Sequence, residues 1–194
     1  MLLPARCVTS SVASALWLAC ATGVQTADGW LPCTFLPIEE EARDTIAQCA
    51  LPSGDGRLVI EPAALRVLAA RGVDPATVAI GDELHYLNAA GVAVPVLPVD
   101  NGADYFVEGF ARTVGDDKVG FIDEKLTVVI PPAWDFAFPF EGGAAVVCED
   151  CTSRPVGDGH KEVVGGRWGV IDKRGRIVVP VIHSRESLRA IQPR

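Results

Sequence analysis

The chain has 194 residues, 49% of them hydrophobic and 22% charged, with a formal net charge of −8. This is a globular composition, long enough for one ordinary domain with a useful core, and it excludes an intrinsically disordered chain. The acidic balance argues against nucleic-acid binding, because such a surface repels phosphate, and leaves a basic protein partner or a neutral glycan as compatible ligands.

In chain order, the first element is a targeting segment. Within residues 1–27 only Arg6 is charged, and the run from Ser11 to Val24 is apolar over the length of a signal-peptide core, too short to span a bilayer. Residues 1–27 are therefore expected to be a signal peptide, with cleavage at Ala19-Cys20-Ala21 or near Thr26 and Ala27, and the mature protein to be secreted or periplasmic. A lipid anchor at Cys20 ranks below simple secretion, since Trp17 stands where a Leu is usual. No second run reaches membrane-spanning length, so no integral membrane span is expected.

Residues 28–52 follow as an expected N-terminal cap. Ile38, Ala42, Ile46 and Cys49 fall on one helical face, and Glu39 to Glu41 place acids in the first turn where the dipole favours them. A helix is therefore expected over Ile38–Cys49. A second is expected over Glu61–Gly72, with Pro62 at its first position, Leu65, Leu68 and Ala69 at helical spacing, and Gly72 closing it.

Residues 53–190 repeat. Gly56, Gly91, Leu126 and Gly175 hold equivalent turn positions; the first three lie 35 residues apart and the last follows after 49, so the fourth unit carries about 14 extra residues, placed at 148–166. Asn88, Asp123 and Asp172 stand three residues before the last three of these positions, the arrangement of a type I turn closed by a left-handed residue. Leu126 breaks the rule, and a left-handed conformation there costs about 1–2 kcal/mol unless packing compensates. Strand-forming runs flank each turn, and Pro62, Pro131 and Pro180 end the second strand because proline cannot donate to a ladder. A third strand leads into each hairpin. The expected fold is mainly β, about four antiparallel three-stranded meanders with one or two short N-terminal helices.

Two of these units resemble the WG-repeat family of bacterial proteins. Trp168-Gly169, Ile171-Asp172, Gly175 and Pro180 match one copy of its pattern, and Gly120, Ile122-Asp123, Pro131, Trp134-Asp135, Phe140, Gly143 and Ala144 match another, with Val119 in place of the first Trp. The resemblance covers Thr77 to Pro180 most closely. It implies an all-β repeat array with an interaction role, in secreted or envelope-associated proteins, and it brings no catalytic residues and no cofactor.

After loss of the signal segment four cysteines remain, Cys33, Cys49, Cys148 and Cys151, an even number suited to an oxidising compartment. Structural disulfides are the first reading, and Cys33 with Cys49 and Cys148 with Cys151 is the preferred pairing of three; the former closes a loop worth about 3 kcal/mol in the chain-entropy model. The Cys148-Glu149-Asp150-Cys151 spacing leaves two alternatives. One is a redox pair, disfavoured because the acids between the cysteines raise thiol pKa values; the other is a metal site of Cys148, Cys151 and His160, with Asp158 as a fourth ligand. His85, His160 and His183 lie in different units, no nucleophile elbow occurs, and His85 is expected to face outward from a strand. Trp134, Phe136, Phe138 and Phe140 alternate with period two, which reads first as a core stripe and second as an aromatic platform for glycan. No catalytic or metal residues are assigned, and the expected function is non-catalytic binding of an unknown protein or glycan.

Overall fold

The computed structural model describes residues 29–36, 43–54, 57–99, 102–157 and 160–191. Glu39 to Glu41, Gly56, Asp158 and the whole expected signal segment lie outside the described residues. The structure is mostly β, built from antiparallel strands in chain order with two short helices.

The first sheet holds six strands. β1 (Leu31–Phe35), β2 (Thr45–Pro52) and β3 (Leu58–Ile60) form a meander, and β4 (Ala76–Ile80), β5 (Glu83–Leu87) and β6 (Ala93–Pro95) form a second, joined where β1 pairs with β4 to give the order β3-β2-β1-β4-β5-β6. The helix expected over Ile38–Cys49 is not present in its described part: Thr45 to Cys49 belong to β2 and pair with β1. Ile46 lies opposite Cys33, the register shifts between it and Ala50, and Cys49, completely buried in the same core cluster, reaches Cys33. Their sulphurs are paired with the Cα atoms 5.5 Å apart.

α1 (Pro62–Arg71) forms where expected. The Glu61 side chain accepts the Ala63 N–H at the N-cap, Pro62 occupies the first turn, and Gly72 closes the helix at φ 66°. The buried face is Ala64 and Leu68, packed on the first sheet's core, whereas Ala69 is exposed.

A two-stranded ribbon, β7 (Pro98–Val99) and β8 (Gly102–Ala103), leads to the third meander, β9 (Phe110–Gly115), β10 (Lys118–Asp123) and β11 (Val128–Trp134). The fourth sheet runs β12 (Phe136–Ala137), β13 (Ala144–Gly157), β14 (His160–Asp172) and β15 (Ile177–His183), and α2 (Arg185–Ile191) packs on β14. This C-terminal helix has no counterpart in the sequence reading. Among the described residues no helix is long and apolar enough to cross a membrane.

The turns show the repeat at atomic detail. Asn88 Oδ1 accepts from Ala90 and Val92 N–H, Asp123 Oδ1 from Lys125 and Thr127, and Asp172 Oδ1 from Arg174 and Arg176, all between 2.8 and 3.1 Å. Gly91, Leu126 and Gly175 close these turns at φ 80°, 63° and 74°. Each closing residue also rests on the unit before it. A Cβ on Gly91 would lie 3.7 Å from Leu65, one on Gly175 would lie 3.4 Å from Ile130, and Leu126 itself is buried with Tyr86, Val94 and Val96.

The Leu126 side chain is 3% exposed, and burying a Leu yields about 1.5–3 kcal/mol, enough to offset the left-handed backbone. Leu126→Ala, which keeps the strain and loses the packing, is expected to cost about 2–5 kcal/mol, and Leu126→Gly about 1 kcal/mol less because the strain is relieved. Urea denaturation of the two variants checks the order; equal losses would show that the backbone there is not strained.

Between the units runs a buried ionic network. Asp104 and Arg112 are 3% and 7% exposed; Arg112 donates from Nε to Asp104 Oδ2 at 2.9 Å and from Nη2 to Oδ1 at 2.6 Å. Its Nη1 donates to Ala137 O at 2.9 Å, and Tyr86 OH donates to Asp104 O at 2.6 Å. One guanidinium thus ties β9 to β12, and its carboxylate partner lies against β5.

Candidate interaction site

In the third unit β9 turns into β10 through Asp116 and Asp117, at φ 49° and 59°, with Gly115 opposite Lys118. Shifting by the 49 residues of the repeat puts Trp168 at the place of Val119 and Arg167 at that of Lys118. The fourth unit does not turn there. β13 continues to Gly157 and β14 returns from His160, so the extra residues form a ribbon grafted onto a tight turn. At the graft Glu149 pairs with Arg167 and Cys151 with Gly165, which leaves Asp150 and Gly166 facing each other as a left-handed kink, at φ 59° and 71°.

Several contacts hold this kink. Cys148 and Cys151 are paired through their sulphurs across it, with Cα atoms 6.1 Å apart. A Cβ on Gly166 would come within 2.6 Å of Cys148 Sγ, so only glycine fits beneath the pair. Asp135 Oδ2 accepts the Asp150 N–H at 2.6 Å, and the Asp135 N–H donates to Cys148 O at 3.0 Å. The hydrogen bond from Lys118 Nζ holds the Asp135 carboxyl below its usual range and raises the Lys118 ammonium. Arg167 reaches both Glu149 and Asp150, but these groups are exposed and such pairs add little.

Beside the kink a groove of about 230 Å³ separates the ribbon's return strand from α2. Its floor is Trp168, 1% exposed, whose Nε1 donates to Gly165 O at 2.8 Å. The Arg185 guanidinium lies 5.2 Å from the ring centres of both Trp168 and Phe138. Beyond the groove, residues 152–157 are exposed, and Val156 near the tip is 53% exposed. The arrangement is a stapled, protruding β-ribbon.

Residues 120–150, spanning β10, β11, β12 and the first part of β13, match the family model described as WG containing repeat. That segment is a WG-containing repeat. No curated protein and no solved structure shows a significant match to the chain.

The geometry explains what the glycine of a WG repeat does. A Cβ on Gly120 would lie 2.4 Å from Ile130 O and 2.6 Å from Pro132 N; one on Gly169 would lie 2.6 Å from Val179 O. In both units the partner strand bulges across the glycine, since Val119 pairs with Trp134 but Phe121 with Ile130, and Trp168 with His183 but Val170 with Val179. At the corresponding place of the second meander, three residues before the turn Asx, stands His85. It is 4% exposed rather than outward-facing, and burial lowers its pKa. The β5–β6 pairing has no such bulge, which leaves room for a side chain.

The aromatic stripe of this WG repeat is core. Trp134 and Phe140 are 8% and 1% exposed within one cluster, and Phe136 and Phe138 pack on the cluster of Trp168, in line with the first reading of a core stripe and against the second, a glycan platform. Along the ribbon the backbone of His160 pairs with Gly157 at the tip, while Cys151 pairs with Gly165. The Asp135 contact to the kink and the Arg185 contact to the rings were not foreseen from the sequence. Asp135 carried a signal, standing beside Trp134 in the repeat pattern, whereas Arg185 lies past Pro180, the last residue matched to that pattern, and carried none.

Proposed function

We propose that the protein is a non-catalytic, secreted or periplasmic repeat protein that binds another macromolecule, protein or glycan, with the inserted ribbon of the fourth unit as its contact element. The observation that carries this reading is the ribbon itself: β13 and β14 extend well past the turn used by the third unit, and the extension is exposed along residues 152–157 and at Lys161 and Glu162. Insertions in repeat arrays map to one face, often the binding face. The paired cysteines and the apolar N-terminal run support an extracytoplasmic location. The alternative, a thiol or metal protein using Cys148 and Cys151, is less well supported because Cys148 is fully buried and both sulphurs are engaged with each other.

Replacing residues 152–164 by Asn-Gly restores a short turn while keeping the cysteine pair. The expected result is an unchanged fold by circular dichroism and at least tenfold less partner captured from a cross-linked envelope extract. Undiminished capture by the shortened protein would remove the ribbon from the binding role. Mass measurement of the native protein with and without alkylation reports the thiol state on the same sample.

A further inference from the structure

The inserted ribbon has two long edges, and they are not alike. β12 pairs with β13 at Val147 and Cys148, and β15 pairs with β14 from Trp168 onward. Among the described residues, the ribbon strands from Cys151 to Gly157 and from His160 to Gly165 therefore pair with each other and with no third strand. On β13 the exposed run contains Pro155, which has no N–H to give to a ladder. On β14 no proline stands between His160 and Asp172, so every residue of that edge keeps its N–H.

The β14 edge is also the one with a wall beside it. The groove of about 230 Å³ runs along Glu162 to Gly166, with Ser184 to Glu186 on its far side. β15 ends at His183, opposite Trp168, so a strand laid in the groove would continue the line of β15 and carry the fourth sheet on beside the ribbon. Two side chains reach the backbone there. Trp168 Nε1 donates to Gly165 O at 2.8 Å, and Arg185 Nη1 to Val163 O at 3.5 Å, too long to hold that carbonyl firmly. Successive residues of a strand turn their N–H and C=O to alternate sides, so the edge presents a donor and an acceptor about every 7 Å.

Size and chemistry select among occupants. A helix, about 10 Å across, is too wide for a slot of this volume, whereas an added strand sits about 4.8 Å from its neighbour. A sugar gains most from an aromatic face, and the groove offers none: the Trp168 ring is 1% exposed and the Arg185 guanidinium lies 5.2 Å from its centre. A row of backbone donors and acceptors is matched by another extended backbone. We propose that the ribbon binds a protein partner by strand addition, an extended segment of the partner pairing with Lys161–Gly165 of β14 in the groove beside α2. This mode of binding rests on the ribbon being the contact element, and it selects protein over glycan and β14 over β13.

The test uses the full chain and the fraction it captures from an envelope extract, first treated with proteinase or with periodate, which cleaves glycan diols. Capture is expected to be lost after proteinase and to survive periodate. In the complex, hydrogen exchange is expected to slow at least tenfold at the outward-facing amides of Lys161–Gly165 and less than twofold along Thr152–Gly157, and the chain alone is expected to sediment as a monomer. Capture that survives proteinase, protection confined to Thr152–Gly157, protection on neither strand, or self-association of the chain through the same edge would each overturn strand addition and leave the ribbon as contact element. Undiminished capture by the ribbon-shortened protein, or no capture by the full chain, would overturn both, so the two failures are told apart.

Discussion

Arg112→Ala is expected to lower the stability of the protein by about 3–5 kcal/mol, because it leaves a buried carboxylate without its charge partner. The guanidinium makes two hydrogen bonds to Asp104 and one to Ala137 O, and both residues of the pair are under a tenth exposed. Asp104 Oδ2 also accepts the Arg112 backbone N–H at 2.8 Å, so the acid is oriented from both chain and side chain. Arg112→Lys should recover only part of the loss, since an ammonium cannot present the fork. Removing both charges together, as Asp104→Leu with Arg112→Met, is expected to cost less than either single change. The comparison is Arg176→Ala, where a pair to Asp172 with an arginine 71% exposed is worth no more than about 0.5 kcal/mol. Urea denaturation of this set checks the order, and an Arg112→Ala loss as small as that of Arg176→Ala would show that the pair does not hold the units together.

Trp168→Ala is expected to cost about 3–5 kcal/mol, the range for truncating a fully buried large ring. The ring is 1% exposed, lies among Cys148, Cys151, Val170 and Leu188, and is faced by Phe136 and Phe138 with centroids 6.1 and 6.2 Å away. It is where the ribbon, the fourth sheet and α2 meet, so its loss should free all three. Gly169→Ala acts by the opposite route. The added methyl meets the backbone of β15 at 2.6 Å, which the strand must yield to, at about 1–3 kcal/mol. Gly102→Ala, where nothing lies within 4 Å of an added Cβ, is the comparison and should be near neutral. Thermal melts followed by tryptophan fluorescence and circular dichroism separate these cases; a near-neutral Gly169→Ala would mean that the two strands do not cross as closely as described.

The turns were legible because their chemistry is local. Asn88, Asp123 and Asp172 each cap amides two and four residues on, so spacing along the chain is spacing in the structure, and the left-handed backbone at Leu126 followed from aligning it with Gly91 and Gly175. The second helix was legible for the same reason, having its proline and glycine at its own ends. Thr45 to Cys49, read from the sequence as the end of a helix over Ile38–Cys49, form strand instead. Their apolar residues suit a helical face equally well, and only pairing with β1 and β3 decides for the extended form.

What the sequence by itself determined is the repeat: the last three turns and the residues that close them, Gly91, Leu126 and Gly175, the place of the insertion and the cysteine count. Each is a short-range relation between neighbours, and neighbours are what a sequence records. The tertiary structure alone decided that His85 and the aromatic stripe turn inward, that Arg112 neutralises Asp104 while also reaching Ala137 O in β12, and that Arg43, Arg71 and Tyr105 line one cleft. Those relations join residues that no fixed period connects, and they exist only once the sheets have packed and excluded water from between them.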